Sequence, residues 1–148
     1  MTQQKHPLSK EEFDHIFSKV PRLTVEVLVK TPEGVVMTKI PQGVLKGQWN
    51  MPGGTVRFGE PLIEAVKRVA KSELGVDVKV GNKLGYIEYP ELLEAGYKGW
   101  PVGMVFETTI LDGELTVSDE GQEVRCFKAV PPNTIESQAV FLRSYLRP

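Results

Sequence analysis

Two adjacent glycines and the helix predicted to follow them carry the residues best suited to chemistry in this 148-residue chain. Gly53 and Gly54 have no side chains, so the backbone there can adopt unusual dihedral angles or lie directly against a ligand. The helix offers the carboxylate of Glu73, an oxygen ligand of the kind that Mg²⁺ prefers. Val69 and Ser72 lie within about one helical turn of it. A serine contributes only a neutral hydroxyl and a valine contributes nothing, so of these three residues Glu73 alone could bind the ion with a full negative charge.

The helix that positions Glu73 is predicted from about residue 62 to residue 74. Apolar residues recur along it at three- and four-residue spacing, which is typical of a helix packed on a core: Leu62, Ala65, Val66, Val69 and Ala70. Pro61 suits the first turn, where its missing N–H is not needed. Gly75 is the expected stop signal.

This stretch resembles the signature of the Nudix hydrolase family, in which a glycine and a glutamate precede an Arg-Glu-x-x-Glu-Glu-type helix. Matching positions are Gly54, Glu60, Arg68, Ala70, Glu73, Gly75 and Val76. Val69 and Ser72 depart from it, because the common signature has carboxylates there. The resemblance implies an α/β fold, a mixed β-sheet sandwiched between α-helices, in a single domain over residues 1–148. Residues 1–7 are polar, and we expect them to be flexible.

One branch of the family, the GDP-mannose mannosyl hydrolases, is similar over more of the chain. Its Arg-apolar-x-x-small-Glu-Leu-Gly pattern matches residues 68–75, and weaker similarity covers Glu11–Phe13, Pro21 and Ser137–Leu142. The resemblance implies that the Gly53 carbonyl and Glu73 hold Mg²⁺, with Mn²⁺ as an alternative. It also implies that Arg68 orients carboxylates or contacts phosphate.

A general base must reach the attacking water, and the branch uses a histidine in a late loop. This chain has only His6 and His15, both near the N-terminus, so that histidine has no counterpart. The matching loop, residues 118–123, is acidic. We expect Glu120 or Glu123 to activate water and Gln122 to add a metal ligand, although an acidic turn can also be merely solvated.

Substrate contacts are predicted at Gly54, Arg57, Arg68, Tyr89 and Trp100. The two aromatic rings could stack on a base, since such stacking is worth about 1–3 kcal/mol, or they could simply pack at a rim or in the core.

The mannosyl-hydrolase branch has an arginine directly after its two glycines, where this chain has Thr55. Lys39, Lys46 and Arg57 are the nearby cations that could replace it.

Composition narrows the class of protein. A formal net charge of −1 gives no general attraction to nucleic acid or to anionic membranes. A single cysteine excludes an intrachain disulfide. Because neither a signal peptide nor an apolar run of about 20 residues is evident, we expect a soluble cytoplasmic protein.

The remaining elements complete a sheet with helices on both sides. An N-terminal helix begins with a capping box, Ser9 and Glu12, and runs to about Val20. We expect it to pack on the core, with packing across a homodimer as the alternative. Strands are predicted over 23–29, 35–40, 76–80, 84–89 and 123–130, with a hairpin of 104–110 and 114–117 and a last helix from about residue 133. Residues 90–101 are predicted as a loop.

We therefore expect an Mg²⁺-dependent hydrolase of a nucleoside diphosphate linked to another group, such as a sugar. If the mannosyl-hydrolase resemblance holds, water attacks the anomeric carbon, but the residue pattern leaves the broken bond open. The alternative is a nucleotide-binding or regulatory module that has lost turnover, which Val69, Ser72 and the missing histidine favour.

Overall fold

The computed structural model describes residues 6–116 and 122–147. In chain order its elements are α1 (Lys10–Phe17), β1 (Arg22–Thr31), β2 (Gly34–Lys39), β3 (Trp49–Asn50), β4 (Gly53–Thr55), α2 (Leu62–Leu74), β5 (Asp77–Glu88), α3 (Pro90–Glu94), β6 (Pro101–Asp112), β7 (Val124–Phe127) and α4 (Glu136–Tyr145). Over these ranges no helix is long and apolar enough to cross a membrane.

Strand β1 is the centre of a mixed seven-stranded sheet. It pairs in parallel with β6, and β5 continues the sheet antiparallel to β6. On its other side β1 pairs antiparallel with β4, so that Thr24 lies opposite Thr55 and Glu26 lies opposite Gly53. The far end of β1 turns into β2, which pairs antiparallel with β3 and β7. The glycine turn is therefore held against the central strand.

Helices cover the two faces of this sheet. Val25 and Val27 of β1 share one buried cluster with Val69 of α2. Leu28 belongs to a second cluster that includes Leu142 of α4, because successive strand residues point to opposite faces. The predicted mixed sheet between helices is confirmed.

Helix α2 has the ends that its sequence predicts. Pro61 is the residue before its first turn, and Gly75 ends it in the left-handed conformation with φ 73°. The buried residues form one stripe, as the apolar spacing indicates: Ala65, Val66, Val69, Ala70 and Leu74.

Two predictions around β5 and β6 are wrong. Residues 76–80 and 84–89 are not separate strands, because β5 runs on through Gly81 and Asn82 with register shifts against β6 between Val80 and Gly85. A bulge thus accommodates residues that resemble a turn. The hairpin partner of β6 is also absent, since residues 114–116 form no strand.

The reason is that β6 already has β1 and β5 as neighbours. The Thr116 N–H instead donates to the Leu74 carbonyl at 2.9 Å, which ties this segment to the end of α2. Val117 lies outside the described residues. The predicted loop 90–101 contains a short helix, α3.

The terminal elements differ from prediction as well. The Ser9–Glu12 capping box is confirmed, but α1 ends at Phe17 and none of its residues is buried, so core packing is wrong for this helix. Strand β7 is shorter than predicted. Helix α4 begins at Glu136, because Asn133 has a φ of 63° and Ile135 has a ψ of 126°, neither of which a right-handed helix allows.

Candidate functional site

Each of the two glycines allows a close approach on a different face of the sheet. A β-carbon on Gly53 would collide with the Glu26 carboxylate and would lie 2.9 Å from the Val25 carbonyl oxygen. A β-carbon on Gly54 would lie 3.0 Å from Cγ2 of Val69. Position 53 therefore has no room for a side chain beside Glu26, and position 54 has little room beneath α2.

A cleft of about 180 Å³ opens on the face of β1 and β4 that is opposite α2. Gly53 and Gly54 form part of its wall. The polar groups of its lining come from several elements of the chain: Arg22, Thr24, Glu26, Asn50, Tyr89 and Gln138. The structure thus brings the predicted glycine turn together with polar residues that are distant in sequence.

Glu26 is the centre of a buried hydrogen-bond network in this cleft. Its Oε1 atom accepts hydrogen bonds from the Tyr89 hydroxyl at 3.0 Å and the Thr24 hydroxyl at 3.1 Å. Gln138 donates from Nε2 to the Tyr89 hydroxyl at 3.0 Å, and its Oε1 accepts from the Met51 N–H at 2.6 Å. The network joins β1 to α4 and fixes the orientation of the carboxyl group.

Burial raises the pKa of Glu26 to about 7, although the hydrogen bonds from Tyr89 and Thr24 and the charge of Arg22 oppose this shift. Both the protonated and the ionised carboxyl are therefore populated near neutral pH. A carboxyl group of this kind in a cleft is a candidate functional group, as acid, base or hydrogen-bond partner.

Glu26 is not among the site residues that the sequence predicts. Its signal was a single charged residue inside the otherwise apolar run of β1, since a glutamate is almost never fully buried without partners. Gln138 carried no comparable signal, because a glutamine in an amphipathic helix is ordinary.

Arg68 forms a fork with Glu60 across the loop between β4 and α2. Its Nε atom donates to Glu60 Oε2 at 2.7 Å and its Nη2 atom donates to Oε1 at 3.0 Å. The same Nη2 also donates to the Thr55 carbonyl at 2.9 Å, while the Arg57 N–H donates to Glu60 at 3.1 Å. The Arg68 hydrogen bonds hold the pKa of Glu60 below its usual range, against the effect of burial. Arg68 therefore ties both Glu60 in this loop and Thr55 at its start to helix α2.

The Thr55 side chain also contacts a guanidinium group, which comes from Arg22 on the neighbouring strand. Its Nη1 atom donates to the Thr55 hydroxyl at 2.8 Å and its Nη2 atom donates to the Tyr97 hydroxyl at 2.8 Å. Lys39 instead lies over the Trp49 ring, 5.5 Å from its centroid. The sequence could not predict this because Arg22 reaches the turn only through the pairing of β1 with β4.

The sequence of this chain also matches a known protein family. Residues 20–146 match the family model of the NUDIX domain. This chain belongs to the Nudix family.

Two relatives and one solved structure show how far the similarity of this Nudix chain extends. The low-salt glycan biosynthesis protein Agl8 of Haloferax volcanii is 30% identical over 125 residues, 82% of this chain and 79% of that protein. An ADP-ribose pyrophosphatase of Methanocaldococcus jannaschii is 30% identical over 107 residues, 72% of this chain and 62% of that protein. The MutT protein of Methanosarcina mazei Go1 has the same fold, with a TM-score of 0.73 at 18% identity over 87% of this chain and 95% of that one. The chain is a Nudix hydrolase.

Helix α2, which carries the predicted metal ligand Glu73, differs from the common Nudix signature at Val69 and Ser72. Val69 is 2% exposed and packs in the core, and the Ser72 hydroxyl donates to the Val69 carbonyl at 3.4 Å. In the part of the chain that the structure describes, no three His, Cys, Asp or Glu side chains come together as a metal site. The donors that the sequence predicts, the Gly53 carbonyl and the Glu73 carboxylate, are hard oxygen ligands. They fit an Mg²⁺ ion that takes its other ligands from phosphate and water.

The late-loop residues are only partly visible. Glu120 lies outside the described residues. Oε2 of Glu123 accepts from Arg125 at 2.9 Å, and the Glu123 carbonyl accepts from the Lys39 N–H at 2.9 Å. Gln122, which is half-buried, directly precedes it. Gln122 and Glu123 lie beside β2, and neither is among the described residues that line the cleft.

The two predicted stacking residues lie in different places. The Tyr89 ring is 4% exposed and packs in the core, so its hydroxyl, which bonds Glu26, is its polar contribution to the cleft. Trp100 lines a separate groove with Phe17, Val20 and Leu93 beside α1. The structure does not bring Trp100 to the cleft.

Proposed function

We propose that this Nudix hydrolase cleaves a nucleoside diphosphate linked to a sugar, with Mg²⁺ as its metal ion. The observation that carries the proposal is the cleft in which the Gly53–Gly54 turn, the Arg22 guanidinium and the buried Glu26 share one face. The guanidinium suits phosphate, and the Glu26 carboxyl suits hydroxyl or amino groups of a sugar or base. The names of the two relatives, a glycan biosynthesis protein and an ADP-ribose pyrophosphatase, support a substrate of this class.

The metal ion would be held by the Gly53 carbonyl and Glu73, with Gln122 as a further ligand. Bound Mg²⁺, or Mn²⁺ as the alternative, would neutralise the diphosphate and orient the leaving group. Gly54 on β4, and Arg57 on the loop that Arg68 holds in place, would contact the diphosphate. Tyr89 would orient the carboxyl of Glu26, and a contact of Trp100 with substrate stays a prediction.

We further propose that the bond broken is carbon–oxygen, at the anomeric carbon of the sugar. Attack at phosphorus would need the water, its base and the metal around one phosphoryl centre, whereas the helix keeps only Glu73. Glu120 or Glu123 would activate the water; Glu123 would first exchange its contact with Arg125 for one with water. Hydrolysis in ¹⁸O-labelled water should place the label in the released sugar, and label in a phosphate product would contradict this assignment.

The experiment that tests the function is a thermal-shift screen of nucleotide sugars with and without Mg²⁺, followed by turnover of those that bind. Glu73→Gln should abolish turnover. Glu64→Gln is the matched control, because Glu64 is an exposed carboxylate of the same helix, 3.8 Å from Lys67.

Binding without Mg²⁺-dependent turnover would instead assign a nucleotide-binding module, which the burial of Val69 in place of a carboxylate favours. A cytoplasmic location and a homodimer through α1 remain expectations, which fractionation and sedimentation would test.

A further inference from the structure

We propose that Arg22 binds an oxyanion of the ligand, and that this oxyanion is a phosphate of the diphosphate. The source of the anion rests on the proposed function, whereas the site itself rests on the geometry of Arg22, Thr55 and Tyr97. The contact would be additional to those expected of the metal ion.

Arg22 lies within reach of the glycine turn. Its guanidinium contacts the hydroxyl of Thr55, which is two residues from Gly53 on β4. Two residues of a strand span about 6.6 Å, so one ligand can contact both the Gly53 backbone and the guanidinium. Glu26 is four residues from Arg22 along β1, about 13 Å by the same measure. The cleft thus has a cationic end and a buried carboxyl end.

The guanidinium is held in place by neutral hydrogen-bond partners. Its two hydrogen bonds go to neutral hydroxyls, and it stands 5.4 Å from the centroid of the Phe13 ring. Within residues 6–116 and 122–147 no carboxylate forms an ion pair with it, and its Nε atom is buried without a hydrogen-bond partner. Each Nη atom of an arginine carries two hydrogens, so one on each remains available. An ordered guanidinium that forms no ion pair in these ranges is suited to a phosphate.

The surroundings of Arg22 are electropositive. His6 packs edge-on against Phe13, the ring that also contacts Arg22. Burial is the largest cause of the lowered pKa of His6, and the positive charges of Arg57, Arg68 and Arg22 lower this pKa further. Three arginines therefore act on one histidine, and Arg68 among them forms an ion pair with Glu60. Positive charge near Arg22 favours an anion there.

A carboxylate on the sugar could supply the same oxyanion chemistry. We favour the diphosphate because the guanidinium lies so near to Gly53, where the diphosphate and its metal are expected. The two sources can be separated with inorganic pyrophosphate and D-glucuronate as probes, since each carries only one kind of anion.

The test measures the rise in melting temperature that each probe causes in EDTA, for each variant against its own baseline. The dependence of this rise on concentration gives a Kd, because stabilisation follows RT ln(1 + [L]/Kd). Arg22→Gln should raise the Kd for pyrophosphate about tenfold to a hundredfold. Arg22→Lys should lie between, because lysine keeps the charge but not the fork. Arg143→Gln, at an exposed arginine of α4, is the control and should match the wild type.

An unchanged Kd in Arg22→Gln, or no binding of pyrophosphate to the wild type, would overturn the proposal. Arg22-dependent binding of glucuronate without binding of pyrophosphate would overturn the phosphate assignment. A failure of the proposed function can be distinguished from a failure of the anion site. Glu73→Gln should abolish turnover but should keep metal-free binding of pyrophosphate. Arg22-dependent binding together with no Mg²⁺-dependent hydrolysis would leave the anion site standing and remove the hydrolase assignment to nucleotide sugars.

Discussion

The carboxylate of Glu26 and the α-carbon of Gly53 face each other across β1 and β4 so closely that position 53 has no room for a side chain. The turn that is expected to present its carbonyl to the metal is therefore packed directly against a buried acid. Tyr89 and Gln138 hold that acid in its orientation from the other side. Glycine at position 53 and the network behind it form one structural unit.

Replacing Glu26 by glutamine should change how stability depends on pH. The folded-state pKa of Glu26 is about 7, whereas an unfolded glutamate titrates near about 4.3. Between these values the folded state binds more protons than the unfolded state, so ionisation of Glu26 lowers the free energy of unfolding as pH rises. Glu26→Gln should therefore be more stable than the wild type at pH 8, by on the order of 3–4 kcal/mol, and similar at about pH 4.

Urea unfolding in EDTA at both pH values measures this difference without interference from a metal. Glu88→Gln is the control, because Glu88 is an exposed residue on β5. Parallel pH profiles for Glu26→Gln and the wild type would show that Glu26 ionises normally in the folded protein.

Gly54 and Val69 should be energetically coupled. Gly54→Ala places a methyl group 3.0 Å from Cγ2 of Val69, and overpacking of this kind costs about 1–3 kcal/mol. Val69→Ala removes the obstructing methyl, so the double variant should be more stable than the sum of the single effects by about 1 kcal/mol. A double-mutant cycle of unfolding free energies measures the coupling. Strict additivity would mean that the backbone moves away from α2 instead.

Helix α2 was predictable because every signal for it is local. Its apolar spacing, Pro61 and Gly75 are all read within one short stretch, and the helix packs as those signals indicate. The same holds for the Ser9–Glu12 capping box, which local hydrogen bonds complete.

The cleft was not predictable because its polar residues meet only through long-range packing. Tyr89 is 63 residues from its partner Glu26, and Gln138 is 49 residues from its partner Tyr89. Arg22 reaches Thr55 through the β1–β4 pairing. The false hairpin at residues 112–113 has the same origin, since a local turn signal cannot show that β6 already has two neighbours.

The Glu60–Arg68 fork should stabilise the folded protein only while Glu60 is ionised. Its folded-state pKa is depressed, so its contribution is present above the unfolded pKa, near about 4.3, and is lost as pH falls through the folded pKa. Glu60→Gln should cost about 1–2 kcal/mol near neutral pH, because the pair is largely buried and bidentate. The cost should shrink as the pH is lowered below about 4.

Denaturant unfolding of both proteins across this range measures the effect. The exposed Glu64–Lys67 pair on the same helix supplies the comparison, since Glu64→Gln should change stability by less than about 0.5 kcal/mol. A cost for Glu60→Gln that is constant with pH would show that the side chain acts through its shape and not its charge.

Restoring the carboxylate of the common Nudix signature at position 69 should damage this protein. Val69 is 2% exposed and packs in the core beside Gly54, so Val69→Glu buries a charge without a partner and should cost at least about 3 kcal/mol. Val69→Gln, which has nearly the same shape, separates the cost of the charge from that of size. Val69→Leu keeps an apolar side chain and should cost less than about 1.5 kcal/mol.

Melting temperatures of Val69→Glu with and without Mg²⁺ show whether the new carboxylate binds the metal ion. If the new carboxylate bound the ion, Mg²⁺ would stabilise Val69→Glu more than the wild type, and increased hydrolysis would follow. We expect neither, because the side chain at this position packs in the cluster shared with β1 and does not line the cleft.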